Sequence, residues 1–237
     1  MVDSTNFLYL TDAGKLSIIY YYFWCILFDH EVILVDTGFP EDLGRERGIT
    51  NYMLPEQLLG CLGRKKADVS MIILTHLHWD HSADIRSYPE ANVIFQKEDL
   101  SFFTGPLGDY SIINRFISGK KEIKFLSQRP NIQIIDGEFH VTPGIITYKV
   151  GGHTPGSQII AIDDAKGKVI LCGDVCPSYR NLDENLPGGI HYSIPECLNA
   201  FEKIRSLAGP ETLIIPGHDK AVYSNHEIIE EGIVRLL

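Results

Sequence analysis

The chain has 237 residues, with 21 basic and 31 acidic side chains, and therefore a formal charge of −10. Its 44% hydrophobic and 22% charged residues are ordinary for a globular protein and argue against disorder over most of the chain. The acidic balance argues against nucleic acid as a partner, because phosphate binding needs clustered Lys and Arg. The length is that of one large domain or two small ones.

The cysteines and the N-terminal segment indicate a cytoplasmic protein without a membrane partner. Five cysteines, an odd number, are typical of reduced thiols in the cytoplasm when no secretory signal is present. The segment before Lys15 contains no basic residue, so no signal peptide is expected. The longest apolar run, residues 16–28, is shorter than the roughly 20 residues that span a bilayer. We interpret this run as a buried strand.

Short runs rich in Val and Ile alternate along the chain with segments of helical periodicity. The predicted strands are residues 18–28, 31–35, 69–74, 92–95, 132–135, 145–150, 158–162, 168–172 and 212–215. Helices are predicted at 55–62, before Gly63, and after Ser193, which forms a capping-box pattern with Glu196 and precedes the Gly209-Pro210 stop. Residues 104–130 have weak periodicity and are interpreted as a lid or an insertion. The alternation predicts an α/β layered fold.

The motif with the clearest chemistry is the string THLHWDH at residues 75–81, directly after a predicted strand. Residues two apart in an extended backbone point the same way, so His76 and His78 can bind one ion together. The chain then turns, and Asp80 and His81 face a second position. Nitrogen and oxygen ligands of this kind suit a borderline-soft ion such as zinc.

Three more candidate ligands follow predicted strands and lie beside glycines. They are His153 in the loop GGHTPGS, Asp174 in CGD and His218 in PGHD. Glycine lets the backbone approach a site closely, and strand ends are where such folds place ligands. Seven ligand-type residues are enough for two metal ions that share one carboxylate.

Two simpler interpretations compete with a dinuclear site. A lone histidine at a strand end is usually a satisfied polar group, but five of the nine histidines fall in these motifs. A single structural zinc site usually has four protein ligands, often including Cys. No cysteine here has metal-ligand spacing, and seven candidates exceed the coordination sphere of one zinc ion.

These motifs together resemble the metallo-β-lactamase superfamily of hydrolases. The resemblance extends from the turn DTG at 36–38 to PGHD at 216–219, and the spaced His, Asp and His of the string are highly specific for this superfamily. It implies an αββα sandwich made by a single domain over residues 1–237, with a dinuclear site at one edge between the sheets.

The resemblance also assigns the metal ligands. It places His76, His78 and His153 on one ion and Asp80, His81 and His218 on the other, with Asp174 bridging both. The expected cofactors are two divalent ions, with Zn²⁺ favoured. Asp36 is expected to serve as a turn residue or to support a ligand rather than to bind metal.

Within the superfamily, the chain is most similar to the N-acyl homoserine lactone lactonases. This similarity rests on the motif HLHWDH at 76–81, the loop GHTPGSQ at 152–158 and the segment PGHD at 216–219. His78 argues against flavodiiron oxygen reductases, which have Glu there, and Asp174 argues against true β-lactamases, which generally lack a bridging Asp. Glyoxalase II-like thioesterases add a C-terminal helical region, for which the segment after His218 is too short. Nuclease-like members usually present basic surfaces, which the net charge does not favour.

One position departs from the lactonase pattern. Active members carry a Tyr three residues after the bridging Asp, where this chain has Pro177. Tyr179 is therefore either the donor to the oxyanion or a packing residue. Four apolar residues have two interpretations, as the wall of an acyl pocket or as core: Phe102, Phe103, Leu107 and Tyr110.

The predicted function is opening of a lactone ring, with an N-acyl homoserine lactone as the small-molecule partner and quorum quenching as the role. A metal-bridging hydroxide would attack the carbonyl, Asp80 would shuttle the proton and Tyr179 would donate to the oxyanion. Thioester or phosphodiester hydrolysis at the same ions is the alternative, and a non-catalytic metal-binding protein is a third hypothesis. Monomer and homodimer both remain open.

Overall fold

The computed structural model of the chain describes residues 1–28, 30–49 and 51–237. Over these ranges the structure is a mixed α/β chain, as the alternation of strand and helix patterns predicts. It divides into two compact units. We call Tyr22–Ile135 the N-terminal unit, and Met1–Tyr21 together with Asp136–Leu237 the C-terminal unit.

The elements follow in chain order. The strands are β1 (Val2–Asp3), β2 (Leu16–Ser17), β3 (Trp24–Leu27), β4 (Val32–Val35), β5 (Val69–Ile73), β6 (Asn92–Gln96), β7 (Ile132–Ile135), β8 (Phe139–Thr142), β9 (Ile145–Lys149), β10 (Gln158–Asp164), β11 (Gly167–Leu171), β12 (Leu213–Ile215), β13 (Glu227–Glu230) and β14 (Ile233–Arg235). The α-helices are α1 (Glu41–Glu46), α2 (Pro55–Cys61), α3 (Trp79–Ser82), α4 (Lys97–Thr104), α5 (Ser111–Asn114), α6 (Lys120–Ser127), α7 (Tyr179–Glu184), α8 (Ile194–Leu207) and α9 (Lys220–Asn225). Short 3₁₀ helices lie at Ser4–Asn6, Lys66–Asp68, Ala83–Ser87, Pro106–Asp109 and Gly173–Val175.

The N-terminal unit contains a five-stranded sheet of order β3-β4-β5-β6-β7. β3 is antiparallel to β4, and the remaining pairs are parallel. The register pairs Val35 with Ile73, so β4 and β5 end side by side. The backbone N–H of Asp36 continues this ladder by donating to the Ile73 carbonyl at 2.9 Å. The residues that follow both strands therefore share one edge of the sheet.

Near-continuous apolar strands form the core of the N-terminal unit. All four residues of β4 are buried, as parallel strands covered on both faces require. The core combines strand residues with residues from the helices: Val32, Leu34, Leu59, Ile72, Leu74, Val93, Phe95, Phe103, Ile123 and Leu126. Each such Leu, Ile or Phe stabilises the fold by about 1.5–3 kcal/mol relative to leaving it exposed.

The C-terminal unit contains a second five-stranded sheet, of order β12-β11-β10-β9-β8, and two small hairpin-like pairs, β1-β2 and β13-β14. Adjacent strands of this five-stranded sheet are antiparallel, except that β11 and β12 run parallel. The buried face of α8, which includes Phe201 and Ile204, packs with Ile159 and Ile170 of the sheet in one core cluster. The helix predicted from the apolar spacing after Ser193 is confirmed, and Ser193 caps it by accepting the Glu196 N–H.

The strand predicted at 18–28 is only partly correct, because β3 begins at Trp24. The backbone of Tyr20 pairs instead with His218, donating its N–H to the His218 carbonyl at 3.2 Å. Its carbonyl lies 2.6 Å from Nδ1 of the same histidine. These polar contacts replace a strand ladder, and hydropathy alone cannot reveal them.

Residues 104–130 form an ordered excursion between β6 and β7 rather than a plain loop. It contains a 3₁₀ turn, α5 and α6, and α6 is tied to the core by Ile123 and Leu126.

In the described part of the chain, no helix has both the length and the apolar character needed to cross a membrane. All five cysteines are free thiols.

Candidate metal centre

The turn after β5 in the N-terminal unit carries four candidate ligands. His76, His78, Asp80 and His81 are all buried. The potential ligand atoms of His76 and His78 lie within 4.8 Å of each other. Asp80 Oδ2 lies 3.6 Å from His81 Nε2. Within this unit, the structure therefore forms both pairs that the spacing of the string predicts.

Asp36 supports one of these residues from the end of β4. Its φ of +64° is a left-handed conformation that Asp tolerates better than most residues. Its Oδ2 lies 2.7 Å from His81 Nδ1, and its Oδ1 accepts the Thr75 N–H at 2.7 Å. An ionised carboxylate only accepts, so Nδ1 of His81 carries the proton and Nε2 presents its lone pair. The interpretation of Asp36 as a turn and supporting residue agrees with these contacts.

The Thr75 hydroxyl fixes a second imidazole in the same way. It donates to Asp36 Oδ2 at 2.8 Å and lies 3.0 Å from His76 Nδ1. A hydroxyl has one proton, so toward His76 it acts as acceptor, and the Nδ1 of His76 donates. The His78 ring contacts two aromatic rings, with the Phe116 centroid at 5.2 Å and the Phe103 centroid at 5.8 Å. These contacts restrict the orientation of both imidazoles.

Three further candidate ligands converge within the C-terminal unit. His153 Nδ1 donates to the Ile190 carbonyl at 2.7 Å, and His218 Nδ1 donates to the Tyr20 carbonyl at 2.6 Å. With both Nδ1 atoms protonated, the Nε2 atoms point to Asp174, whose Oδ2 is 3.5 Å from His153 and 3.0 Å from His218. Asp174 is thus the carboxylate shared by two imidazoles, the geometry that a bridging role would use.

Two glycines make this convergence possible. A Cβ on Gly217 would lie 2.8 Å from Asp174 Oδ1, so only glycine lets the His218 loop approach that carboxylate. Gly152 has a φ of +89°, and a Cβ there would lie 2.8 Å from the Sγ of Cys197. Its N–H donates to Glu196 Oε2 at 3.0 Å. The N-terminal turn of α8 therefore holds the His153 loop in place.

The donor set fits a divalent metal ion of borderline softness. Imidazoles that donate one ring N–H to a carboxylate or carbonyl and offer the other nitrogen are the usual arrangement of metal-binding histidines. Carboxylates as little exposed as those of Asp80 and Asp174, about a tenth of each side chain, are destabilising unless a cation compensates their charge. Imidazole nitrogen and carboxylate oxygen are both common ligands of zinc.

Tyr179 begins α7, and its backbone N–H donates to Asp219 Oδ2 at 3.1 Å. Asp219 also caps α9 by accepting the Ala221 N–H at 2.8 Å. Burial, with a smaller effect of the nearby Asp219 carboxylate, raises the pKa of the Tyr179 phenol to about 12. The phenol is therefore protonated at neutral pH. At the position of the expected tyrosine, the Pro177 carbonyl accepts the His218 N–H at 2.9 Å.

Some contributors to the site carry no sequence signal. The carbonyls of Tyr20 and Ile190 orient two imidazoles, and any residue type supplies a carbonyl. Phe116, beside His78, was not identified by the spacing arguments. The four residues interpreted as either the wall of an acyl pocket or core differ in burial. Phe103 belongs to the core and Phe102 packs partly buried against it, whereas Leu107 and Tyr110 are exposed.

Comparisons with known proteins show which proteins the chain resembles. An N-acyl homoserine lactonase of a Bacillus species is 27% identical over 215 residues, covering 83% of this chain and 80% of that protein. An N-acyl homoserine lactone hydrolase with N-hexanoyl-L-homoserine bound at its catalytic metal centre superposes with a TM-score of 0.80 at 22% identity, covering 97% and 93% of the two chains. AidC, a dizinc quorum-quenching lactonase, gives a TM-score of 0.64 at 16% identity, covering 82% and 70%.

These structural neighbours confirm the predicted fold class, an αββα sandwich of the metallo-β-lactamase type. The model of the metallo-β-lactamase superfamily matches residues 20–218, which is most of the sequence and includes all seven candidate ligands. The chain therefore belongs to the metallo-β-lactamase superfamily.

Proposed function

We propose that this protein is a metal-dependent hydrolase that opens the ring of N-acyl homoserine lactones. The observation that carries the proposal is the anchoring of imidazoles through Nδ1, by Asp36 for His81 and by backbone carbonyls for His153 and His218. The choice of a lactone is supported by the relatives, which are N-acyl homoserine lactonases at 26–27% identity over 83% of this chain.

In this proposal two divalent ions, with Zn²⁺ favoured, are held by seven side chains. One ion would take His76, His78 and His153, the other would take Asp80, His81 and His218, and Asp174 would bind both. Residues 1–237 would then act as a single domain. The zinc assignment is supported by the nitrogen and oxygen donors and by the dizinc neighbour.

When bound, the two ions would supply a nucleophilic hydroxide at neutral pH and polarise the substrate carbonyl. The carboxylate of Asp80 would accept the proton from the attacking water and return it to the leaving alkoxide. The phenol of Tyr179, which is protonated at neutral pH, would donate a hydrogen bond to the developing oxyanion. Asp36 and the carbonyls of Ile190 and Tyr20 would keep the imidazoles oriented.

The net charge of −10 supports a lactone over a phosphodiester, because an acidic protein repels polyanions at long range. The five free thiols support a cytoplasmic location, where hydrolysis of a signal lactone would be quorum quenching.

A substrate panel tests the proposal. Metal-loaded protein is incubated with lactones of several acyl lengths, a thioester, a β-lactam and a chromogenic phosphodiester. Ring opening releases a carboxylic acid, so proton release measures it directly. We expect the lactones to be hydrolysed fastest, with Asp174→Ala as the inactive control. If the phosphodiester or the thioester reacts far faster than every lactone, the lactonase proposal is wrong.

A further inference from the structure

The turn that carries His78 and Trp79 is attached to residues 106–117 through two consecutive carbonyls. The Trp79 N–H donates to the Phe116 carbonyl at 2.8 Å. Arg47 Nη1 donates to the neighbouring Arg115 carbonyl at 2.9 Å. The Arg47 guanidinium carbon also lies 4.5 Å from the centre of the Trp79 ring, within the range of a cation–π interaction. Arg47 therefore contacts both the turn and residues 106–117.

Residues 106–117, which we call the cover segment, bury few side chains. Leu107, Tyr110 and Ile112 are 52%, 63% and 67% exposed, whereas Ile117 at its end is buried in the core. Segments with few buried apolar contacts open locally at low free energy. Besides the core contacts of Ile113 and Ile117, the polar attachments of the cover segment therefore contribute to holding it in place.

The cover segment borders a candidate metal ligand through Phe116. The Phe116 and His78 rings are stacked at 5.2 Å with an interplanar angle of 29°. The Phe103 ring, whose centroid lies 5.8 Å from that of His78, is fixed because it is fully buried in the core. Phe116 is only partly buried, so its position depends on the backbone that Trp79 and Arg47 hold.

We propose that Arg47 is a positioning residue that keeps the cover segment closed against the turn of His78 and Trp79. The closed segment places the Phe116 ring as a wall beside His78, and this wall selects substrates with an apolar tail. The selection of the tail rests on the proposed function, whereas the closure of the segment does not. Arginine is required because its planar guanidinium stacks and donates at the same time, which an ammonium group does less well.

Hydrogen exchange and fluorescence test the closure directly. The chain has two tryptophans, so in a Trp24→Phe background Trp79 is the remaining one, and excitation selective for tryptophan reports on it. In this background we expect Arg47→Gln to speed exchange across the cover segment by about 3- to 10-fold, the loss expected for one exposed cation–π contact and hydrogen bond. We also expect the Trp79 emission of Arg47→Gln to shift to the red. Arg47→Lys should restore neither the parent's exchange rate nor its emission wavelength fully.

Arg45→Gln is the matched control, because Arg45 lies at the end of α1, two residues before Arg47, and the structure gives it an exposed ion pair with Glu41 at 2.8 Å. It should leave exchange and emission unchanged. If Arg47→Gln folds with the same exchange and emission as its parent, the closure is refuted.

Kinetics with metal-loaded protein test the effect on the substrate. We expect Arg47→Gln to raise KM about 3- to 10-fold for a long-tailed lactone, with a smaller change for a short-tailed one and little change in kcat or metal content. An equal rise in KM for both tails would overturn the tail assignment. If the parent hydrolyses no lactone, the proposed function fails, and the exchange and emission results still decide the role of Arg47.

Discussion

His81 and Asp36 form a short hydrogen bond inside the N-terminal unit, with His81 Nδ1 2.7 Å from Asp36 Oδ2. The side chains are only 3% and 4% exposed. The same carboxylate also accepts from the backbone and the hydroxyl of Thr75. The end of β4 therefore sets the shape of the turn after β5, and through Thr75 it also influences His76. A carboxylate in this position orients the imidazole and raises its basicity as a ligand.

Replacing Asp36 with Asn tests this relationship with little disturbance of the backbone. Asn also tolerates a φ of +64°, so the turn should be retained. The neutral amide is a weaker partner for the His81 Nδ1 proton than a carboxylate. We expect the affinity for Zn²⁺ to fall about 10- to 100-fold, as measured by competition with a chromophoric chelator. Asp42→Asn, at an exposed position in α1, is the control. If Asp36→Asn binds Zn²⁺ with unchanged affinity, Asp36 shapes the turn but does not support His81 as a ligand.

Asp174→Ala should lower the metal content and abolish most activity. The Asp174 carboxylate lies 3.0 Å from His218 Nε2 and 3.5 Å from His153 Nε2, so its removal takes away the group that these imidazoles share. The metal content per chain, measured by mass spectrometry after gel filtration, gives the readout. Asp183→Ala on the exposed side of α7 should behave as wild type. A variant with two tightly held ions and normal turnover would refute the bridging assignment.

The predictability of the fold differs between its parts for physical reasons. Fully buried strands such as β4 consist of continuous apolar residues, so an apolar run in the sequence is enough to locate them. β8 was missed because it is a short, partly exposed edge strand whose register shifts between His140 and Thr142. Its sequence has neither a long apolar run nor a clean alternation.

The candidate site shows the same division. Ligand-type side chains at strand ends are visible in the sequence because zinc binding requires particular residue types at particular spacings. The groups that orient them are less visible, since Tyr20 and Ile190 act through backbone carbonyls. Glu196 matched a capping box, but its carboxylate accepts the Gly152 N–H and so serves the His153 loop.

Tyr179→Phe tests the proposed donor to the oxyanion. If the phenol donates in the transition state, kcat and kcat/KM should fall together, by roughly 10- to 1000-fold. The metal content should not change, because Tyr179 is not among the proposed ligands. Steady-state kinetics on a lactone provide the measurement. An unchanged rate would assign Tyr179 to packing at the start of α7.

The same variant should alter stability at high pH. Burial raises the pKa of the Tyr179 phenol from 10.0 to about 12, so the unfolded chain releases this proton at lower pH than the folded protein does. The contribution of Tyr179 is therefore fully present below pH about 10 and is lost as the pH rises toward about 12. In urea unfolding across this window, we expect the wild type to lose stability more steeply than Tyr179→Phe. Parallel curves would show that the phenol is not buried as described.

Removal of metal should lower the melting temperature of the protein. An ion that binds only the folded state stabilises it by RT ln(1 + [L]/Kd), about 2.7 kcal/mol when free ion is at 100 times Kd. For a chain of this length, that corresponds to a fall in Tm of roughly 5–10 °C, and adding Zn²⁺ back should restore it. Calorimetry before and after chelation measures the shift, with metal analysis to verify removal. Asp174→Ala should show a smaller shift, because it has lost the shared ligand. An unchanged melting curve after verified removal would mean that the ions do not contribute to the stability of the fold.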